Sequence, residues 1–255
     1  MPHLSKTRLL LIPSYNTGKI VCDVVREALN VWQPVWVVID GSDDGSGEQL
    51  QNLAASEPGL QVIILEHNQG KGSAVYHGAK TASEKGFTHI LTMDADGQHP
   101  AEFIPRMMDL ASKNPEAMIL GEPIFDDNAP ALRVHGRKIS NFWVNFETLW
   151  AGIHDSLFGF RVYPVKDLLA VMNETHFARR FDFDPEVAVR IAWRSVKIIN
   201  LQVPVRYLSA QEGGVSQFRY FRDNSLLTWM HLRLLSGFVF RFPGLLFRKL
   251  KSRHS

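Results

Sequence analysis

The chain has 255 residues, of which 45% are hydrophobic, and it contains a single cysteine, Cys22. This length and composition predict one large α/β domain or two small ones with a full core, and one cysteine excludes an internal disulfide and fits a reducing compartment. No secretory signal is visible in residues 1–11, and no run of about 18 uninterrupted apolar residues exists, which argues against a simple membrane span.

Charge is distributed unevenly along the chain. The formal net charge is +2, but residues 219–255 contain eight Lys or Arg against one acid and so carry +7, which leaves −5 for residues 1–218. A mildly acidic body with a basic, aromatic tail indicates an anionic surface as a partner. Nucleic acid is a poor candidate, because the body is acidic and no motif that reads nucleic acid is present.

Five apolar segments alternate with helical patterns over the first 120 residues. Strands are predicted at residues 9–12, 35–39, 62–65, 90–93 and 117–120. Helices are predicted at 19–30, from the segment 67–72 to about residue 85, and at 101–112, and the polar loop 40–46 can cap a helix through Ser46. This alternation predicts a parallel sheet with helices on both faces.

The pattern loosens beyond residue 121. A loop is predicted at 122–130, helices at 134–150, 165–172 and 184–192, and strands at 157–162 and 196–205. The helix at 134–150 has an aromatic face, which is interpreted as core, with an acceptor groove as the alternative.

Polar clusters follow three of the predicted strands, at residues 13–16, 40–44 and 94–96. Because parallel strands end at one edge of a sheet, we expect these clusters to converge on one rim, where open α/β sheets bind ligands. Side chains two apart on a strand point the same way, so Asp94 and Asp96 can place two carboxylates side by side. Hard cations such as Mg²⁺ and Mn²⁺ prefer such oxygens, although a solvated Asp-rich turn is the alternative for Asp-x-Asp alone.

The segment Gly70-Lys71-Gly72 looks like a phosphate loop. It lacks the pattern Gly-x-x-x-x-Gly-Lys-Ser/Thr, however, and no Gly-x-Gly-x-x-Gly follows the first strand, so P-loop and dinucleotide sites are excluded. Lys71 is therefore interpreted as a helix-start residue that can also contact a diphosphate.

Six motifs occur in one order along the chain and carry a family resemblance. They are Ile-Pro-Ser-Tyr-Asn at 12–16, Asp-Gly-Ser-Asp-Asp at 40–44, Asn-x-Gly-x-Gly at 68–72, Asp-Ala-Asp-Gly-Gln-His-Pro at 94–100, Phe-Gly-Phe-Arg at 158–161 and Glu-Gly-Gly-Val-Ser at 212–216. Over residues 8–220 they resemble the family 2 glycosyltransferases of the GT-A fold, most closely the dolichol- or polyprenyl-phosphate sugar synthases. The resemblance implies a Rossmann-like, mostly parallel α/β sheet within residues 1–218, followed by an amphipathic helical tail at 219–255.

The same resemblance implies roles for the matched positions. Donor nucleotide binding is expected at Pro13, Tyr15, Asn16, Asp40, Lys71, Asp94 and Gln98. A divalent cation, Mg²⁺ or Mn²⁺, is expected at Asp94 and Asp96, with His99 either a further ligand or a turn residue. Contacts to phosphate or acceptor are expected at Arg137, Ser140 and Arg161.

The activity implied by the resemblance is inverting, metal-dependent transfer of a sugar from a UDP- or GDP-sugar to a lipid-linked, polyprenyl-phosphate-like acceptor or to a hydroxyl. Asp96 would act in catalysis through the ion that stabilises the departing diphosphate. Asp184 or Glu186 would be the base for a hydroxyl acceptor, whereas a lipid phosphate needs none. Both acids can instead be explained by their place at a helix N-terminus beside Pro185.

The chain also departs from the family pattern. Ile39 stands where the family has Asp, Gly121-Glu122-Pro123 replaces Gly-Ser-Arg, and Gln217 replaces Lys. These departures leave a catalytically silent protein that binds nucleotide sugars as the alternative function.

The tail mixes Leu, Phe and Trp with His and Arg over residues 226–247. Such a helix can lie in a membrane interface with its basic residues on anionic headgroups, or it can pack on the domain with a solvated basic end. The first interpretation predicts a cytoplasmic protein that is peripheral at the inner face of the cytoplasmic membrane.

Overall fold

The computed structural model describes residues 2–125, 131–205 and 220–252. The strands are β1 (His3–Leu4), β2 (Arg8–Ser14), β3 (Trp32–Gln33), β4 (Val35–Asp40), β5 (Leu60–Leu65), β6 (His89–Thr92), β7 (Ala117–Ile124), β8 (Arg161–Pro164) and β9 (Lys197–Pro204). The helices are α1 (Ile20–Val31), α2 (Ser46–Ser56), α3 (Lys71–Glu84), α4 (Ile104–Lys113), α5 (Ala131–Glu147), α6 (Val165–Glu174), α7 (Phe183–Trp193) and α8 (Tyr220–Ser252). A short 3₁₀ turn, Ala101–Phe103, precedes α4.

Seven strands form one sheet in the order β5-β4-β2-β6-β8-β7-β9. Strand β8 runs antiparallel to β6 and β7, and the other neighbouring pairs are parallel. The expected mostly parallel α/β sheet is therefore confirmed, with one reversed strand between β6 and β7.

Helices cover both faces of this sheet. Alternate residues of β2 belong to two separate cores, Leu9 and Leu11 to one and Leu10 and Ile12 to the other, as expected when strand side chains alternate between faces. The first core contains side chains of α3, α5, α6, α7 and α8, and the second contains those of α1, α2 and α4. The sheet is thus buried on both sides, which leaves its edges and strand ends for ligands.

A strand is predicted at 157–162, but its predicted start is wrong because β8 begins at Arg161. Backbone groups just before it are bonded to side chains instead of to a neighbouring strand. The N–H groups of Leu157 and Phe158 donate to Oδ1 of Asp155, and the carbonyl of Phe158 accepts from Nε of Arg161. The predicted cap of α2 also differs, because Ser46 is the first helical residue and the carboxylate of Asp44 accepts from both its N–H and its hydroxyl.

Helix α8 packs on the domain along one side and exposes the other. Met230, Leu234, Phe238 and Leu245 are buried at helical spacing in the core that contains α5 and α7. Outward-facing apolar side chains include Val239, Phe240 and Phe247, which are 67%, 85% and 69% exposed. Within the described residues, no helix combines the length and apolar character that crossing a bilayer requires.

Candidate active site

The ends of β2, β4 and β6 meet at one rim of the sheet, as expected from their parallel pairing. The loops that follow β2 and β4 are bonded to each other. The backbone N–H of Asn16 donates to Oγ of Ser42 at 3.0 Å, and that of Gly18 donates to Oδ2 of Asp44 at 2.7 Å. The loop after β6 joins them, because the N–H of Met93 donates to the carbonyl of Leu11.

Asp40 and Asn16 are committed to holding these loops together. The buried carboxylate of Asp40 accepts from the N–H of Gln69 at 2.9 Å and from that of Gly70 at 2.7 Å. The side-chain amide of Asn16 forms two hydrogen bonds with Asp43. Its Nδ2 donates to Oδ1 of Asp43, and its Oδ1 accepts from the backbone N–H of Asp43. Their expected direct contacts to the nucleotide are not favoured by this geometry, because the polar atoms already have internal partners.

The other expected nucleotide residues lie at the same rim. Pro13 is buried within β2, opposite Val38 of β4. Tyr15 is 36% exposed in the loop that follows, and its expected contact with the nucleotide stays a prediction. Gln98 is half-buried, and its N–H donates to Oδ1 of Asp96 at 3.1 Å.

Lys71 lies between two carboxylates at the centre of the rim. Its Nζ is 2.6 Å from Oδ1 of Asp94 and 2.6 Å from Oδ2 of Asp184. Helix α3 begins at Lys71, as its sequence context predicts. A cluster of Lys71, Asp94 and Asp184, here called the Lys71 cluster, thus joins the β6 loop to the start of α7.

Gly159 is the close neighbour of the Lys71 cluster on the β8 side. A Cβ built on Gly159 would overlap Nζ of Lys71 and would lie 2.8 and 2.9 Å from the two carboxylate oxygens of Asp94. The carbonyl of Gly159 accepts from Oγ1 of Thr92 at 2.8 Å, which holds it against β6. The glycine of the Phe-Gly-Phe-Arg motif is therefore in close contact with this ion pair, and a Cβ there would require the ends of the Lys71 and Asp94 side chains to move.

The charges of the cluster shift its pKa values in opposite directions. Burial acts to lower the pKa of Lys71, but the charges of Asp184 and Asp94 outweigh it and raise the pKa above its usual value. Burial acts to raise the pKa of Asp94, and the Lys71 charge outweighs it and lowers the pKa. Asp96 has no such cation in contact among the residues that the structure describes, so burial and the negative charge of Asp94 raise its pKa to about 6. The two carboxylates of the acidic pair are therefore not equivalent.

His99 orients Asp94 through a hydrogen bond. Its Nδ1 accepts from the backbone N–H of Asp94 at 3.1 Å, and its Nε2 lies 3.6 Å from Oδ2 of Asp94. The ring is 4% exposed and packs on Phe158, and burial lowers its pKa to about 4. A neutral imidazole that accepts at Nδ1 carries its proton on Nε2. The lone pair of Nδ1 is then used by the Asp94 N–H, and the choice between metal ligand and turn residue for His99 stays a prediction.

The residues present fit a divalent cation only with help from a bound ligand. No group of three or more His, Cys, Asp or Glu side chains forms a metal site within the described ranges. Asp94 and Asp96 supply two carboxylates, and Mg²⁺ is typically held by one or two carboxylates together with substrate phosphates and water. The acidic pair therefore matches a cation that arrives with a diphosphate.

The two expected bases have different environments. Glu186 is fully buried, with Oε1 2.8 Å from Nη2 of Arg190 and Oε2 2.7 Å from Nη2 of Arg233. Both carboxylate oxygens of Glu186 thus have internal partners, and its expected role as a base stays a prediction. Asp184 lies in the Lys71 cluster, and its Oδ1 is buried without a hydrogen-bond partner in the described part of the chain.

Arg161 is a structural residue beneath the rim. Its side chain is fully buried and donates to the backbone carbonyls of Phe158, Asp184 and Asp155. Its expected contact with an acceptor phosphate stays a prediction. Its guanidinium ties the start of α7, and with it Asp184, to β8.

The segment around Arg137 and Ser140 lies where α5 meets the loop before β8. Nη1 of Arg137 pairs with Oδ1 of Asp155 at 2.5 Å, and the Arg137 side chain remains 18% exposed. The hydroxyl of Ser140 is buried between Oγ of Ser156 at 3.0 Å and Nε2 of His231 at 3.4 Å. Arg137 can therefore reach a ligand by exchanging a partner, whereas Ser140 is used to hold α5 against α8.

An aromatic ridge occupies the outer face of α5 and the turn that follows it, and we define it as Phe142, Trp143, Phe146 and Trp150. These side chains are 36–57% exposed, which corrects their interpretation as core. The ring centroid of Phe146 lies 5.4 Å from that of Phe238 on α8. The ridge therefore borders α8, and we call the exposed apolar side chains of the ridge and of α8 together the exposed apolar face.

Several residues of this region carry no sequence signal for their role. Asp155, Glu147, His231 and Arg233 organise the site only because the fold brings α5, α7 and α8 together. Gly159 could have been found from its motif, since an internal glycine in a strand context indicates a close approach. The expected Glu-Gly-Gly-Val-Ser loop at 212–216 and Gln217 lie outside the described residues.

A cleft of about 590 Å³ borders the acidic loop. Its lining includes Gly97, His99, Pro100, Ile124 and Phe125. It extends from Gly97, the residue next to Asp96, towards the end of β7, and neither acid of the pair is among its lining residues.

Comparisons with known proteins agree with this architecture. The model of glycosyl transferase family 2 matches residues 10–172. An undecaprenyl-phosphate mannosyltransferase of Micrococcus luteus is 26% identical over 220 residues, covering 80% of this chain and 85% of the relative. A UDP-N-acetylglucosamine–dolichyl-phosphate N-acetylglucosaminyltransferase of Methanococcus voltae is 28% identical over 196 residues, covering 71% and 78%.

A solved structure shares the fold across most of the chain. It is the crystal structure of glucosyl-3-phosphoglycerate synthase from Mycobacterium tuberculosis in complex with Mn²⁺ and UDP-glucose. It superimposes with a TM-score of 0.63 at 14% identity, covering 93% of this chain and 79% of that one. The likeness establishes the GT-A architecture, which the sequence motifs predict.

Proposed function

Because this chain belongs to glycosyl transferase family 2, we propose that it transfers a sugar from a UDP- or GDP-sugar to a lipid-linked phosphate of the polyprenyl type, with inversion and with a divalent cation. The observation that carries this proposal is the acidic pair beside Lys71 at the carboxyl edge of the sheet. The names of the relatives favour polyprenyl or dolichyl phosphate as the acceptor class. Those two relatives differ in the sugar that they are named for, so the donor sugar stays open.

The acidic pair would hold Mg²⁺ or Mn²⁺, and a bound cation would stabilise the negative charge that develops on the departing diphosphate. Asp96 is the member without a cation in contact, and Asp94 is oriented by His99 through its backbone N–H. Tyr15 and Gln98 line the rim where the base and the sugar of the donor would lie. Support for this metal role comes from the Mn²⁺ and UDP-glucose complex of the structural relative.

A phosphate acceptor fits the state of the two candidate bases. Asp184 is paired with Lys71, and Glu186 is held by two arginines. A hydroxyl acceptor gains from a free carboxylate base, but an acceptor phosphate is already an anion and attacks without one. The internal pairing of both acids therefore favours a lipid phosphate over a hydroxyl.

The lipid part of the acceptor would lie on the face formed by the aromatic ridge and α8. Large exposed apolar patches mark surfaces for partners or membranes, and the end of α8 adds Arg248, Lys249 and Lys251 beside this face. Basic residues next to an apolar helix side favour anionic lipid headgroups. The protein would then work as a peripheral protein at the inner face of the cytoplasmic membrane.

A direct test is ligand-dependent thermal stability followed by transfer. UDP or GDP together with Mn²⁺ is expected to raise the melting temperature, because a ligand that binds only the folded state stabilises it. Asp96→Ala is expected to abolish this gain. The absence of any shift with either nucleotide, together with no transfer of labelled sugar to a polyprenyl phosphate, would contradict the proposal.

A second function is favoured by the region after β7. Glu122 stands where the family has Ser in Gly-Ser-Arg, and its carboxylate pairs with Nδ1 of His154 at 2.9 Å. An acid at this position can repel an acceptor phosphate, which would leave a protein that binds nucleotide sugars without transferring them. Slow hydrolysis of the donor in the absence of acceptor would rule out this silent protein, because it requires a working catalytic site.

A further inference from the structure

We propose that Lys71 is an internal counter-cation of the acidic site that suppresses binding of a divalent metal alone and so makes metal binding depend on the nucleoside diphosphate. This inference rests on the proposed function, because it concerns the same donor site. Lys71 would then do more than contact the donor, because its charge would make the affinity for the metal depend on whether the diphosphate is bound.

The contacts of Lys71 place a positive charge where the metal must compete. Its Nζ is 2.6 Å from Oδ1 of Asp94, and the same nitrogen is 2.6 Å from Asp184. Asp94 is also one of the two carboxylates that can hold the cation. A divalent ion bound by Asp94 would therefore share that carboxylate with an ammonium group, and like charges this close weaken each other's binding.

The backbone around Lys71 keeps the ammonium group in this position. The N–H of Gly70 donates to Oδ2 of Asp40, and the N–H of Ser73 donates to the carbonyl of Arg179. Gly72 is packed so closely on the carbonyl of Ala178 that a Cβ would overlap it. The start of α3 is thus fixed between the β4 end and the loop before α7, so Nζ can leave Asp94 only by rotation of the Lys71 side chain.

Gly159 limits where Nζ can go. A Cβ at this position would overlap Nζ, so the β8 side of the ammonium group is in contact with backbone. In the described part of the chain, the other anion in contact with Nζ is Asp184, whose carboxylate is 7% exposed. Lys71 can therefore release Asp94 while it keeps Asp184.

A diphosphate changes this balance of charge. It brings several negative charges beside Lys71, so Lys71 gains a new anionic partner and Asp94 becomes available to the metal. The metal in turn gains phosphate oxygens as ligands, because the two carboxylates of the acidic pair do not form a complete metal site by themselves. Metal and nucleoside diphosphate should consequently bind with positive coupling, and this coupling should depend on the charge of Lys71.

The experiment is a titration of Mn²⁺ followed by electron paramagnetic resonance of the free ion, with and without UDP or GDP. The wild-type protein is expected to bind Mn²⁺ weakly alone and at least about tenfold more tightly with the preferred nucleotide. Lys71→Met is expected to bind Mn²⁺ alone at least about tenfold more tightly than the wild type. Its gain from the nucleotide should be smaller than that of the wild type.

Two further variants keep the test decisive. Lys71→Met combined with Asp184→Asn removes one charge of each sign, so it avoids an unpaired buried carboxylate at Asp184 and should still bind Mn²⁺ alone more tightly. Lys80→Met removes an exposed lysine from the same helix and should leave Mn²⁺ binding unchanged. Circular dichroism establishes that each variant is folded before its titration is interpreted.

Three outcomes overturn the inference. Wild-type protein that binds Mn²⁺ equally well without nucleotide lacks the coupling, and this result needs no variant. Folded Lys71 variants that bind Mn²⁺ alone no more tightly, or less tightly, would show that Lys71 supports the metal site. Wild-type protein that binds no Mn²⁺ with either nucleotide would contradict the proposed function itself, whereas the first two outcomes leave that function intact.

Discussion

Two regions of this molecule differ in whether their side chains have partners inside the protein. At the rim of the sheet, charged groups pair internally, as in the Lys71 cluster and in the bonds of Asp40 to residues 69 and 70. On the face formed by α5 and α8, large aromatic side chains are exposed, including Trp150 at 57% and Phe240 at 85%. The rim is organised before any ligand binds, whereas the second face leaves apolar surface that only a partner can cover.

Helix α8 links the two regions. Its outer side belongs to the exposed apolar face, but its inner side carries His231 and Arg233, which pair with buried acids of α5 and α7. Arg233 contacts Glu186, two residues from Asp184 of the Lys71 cluster. The helix thus contributes to the exposed apolar face and also supports α7, which carries Asp184. Substitutions on its two sides can test these roles separately.

Loss of one member of the acidic pair should have the largest effect. Asp96→Asn preserves shape but removes a charge, and we expect kcat/KM to fall by at least about 10³, because metal stabilisation of a departing group is worth several kcal/mol. The Mn²⁺-dependent gain in melting temperature should disappear as well. The matched control is Asp109→Asn, since Asp109 is an exposed acid on α4 that pairs with Lys113 of the same helix. Full activity of the Asp96 variant would exclude the acidic pair as the metal site.

The second largest effect is expected when the ion pairs of Arg233 on α8 are removed, because their loss should lower the stability of the protein. Arg233→Met leaves Glu186 and Asp182 with one fewer cation in a buried setting, and we expect the free energy of unfolding to fall by about 3–5 kcal/mol. Denaturant titration measures the change. The same substitution at Arg26, which forms an exposed pair with Asp23, should cost less than about 1 kcal/mol. Equal effects of the two would mean that α8 does not stabilise α7 through this pair.

The exposed apolar face should be tested by binding to lipid. Phe240→Ser combined with Phe247→Ser should weaken binding to anionic phosphatidylglycerol vesicles by tenfold or more, because insertion of each Phe contributes roughly 1.5–3 kcal/mol. Binding of Mn²⁺ and nucleotide should not change. Ile64→Ser is the control, since Ile64 is 49% exposed on β5 at the opposite edge of the sheet. If wild-type protein does not sediment with such vesicles, the membrane partner is wrong.

The smallest expected effect distinguishes two glycines. Gly159→Ala places a methyl group against Lys71 and Asp94, and we expect a loss of about 1–3 kcal/mol in unfolding free energy and weaker nucleotide binding. Gly136→Ala has open space around its Cβ on α5, so it should be neutral or stabilising by up to about 1 kcal/mol. Thermal unfolding with and without nucleotide compares them. Similar behaviour of both variants would argue against the close approach at Gly159.

Much of the architecture could be predicted from periodicity and motif order. The first five apolar segments correspond to β2, β4, β5, β6 and β7, and the polar clusters after β2, β4 and β6 do share one rim. Local composition suffices there, because a buried parallel strand must be apolar and must end at a turn. The strand before Arg161 could not be placed in the same way, because side chains of Asp155 and Arg161 take the backbone bonds that a neighbouring strand would otherwise supply.

The roles of charged residues were harder to predict than their presence. Arg161, Glu186 and Asp40 all occur in motifs that suggest ligand contacts, yet each is buried with internal partners. A motif records which residue types are present, but the partner of a charge depends on segments far away in the chain. Glu186 meets Arg233 across 47 residues, and Lys71 meets Asp184 across 113.

The sequence by itself determined the α/β class, the family, and the place of the acidic pair at the end of a buried strand, because these depend on local periodicity and on short ordered motifs. The tertiary structure alone decided which charges face a ligand and which neutralise each other inside the protein. It also decided that the aromatic side of α5 is exposed beside α8. The physical reason is that burial and ion pairing are properties of contacts between distant segments, and no local pattern in a chain specifies them.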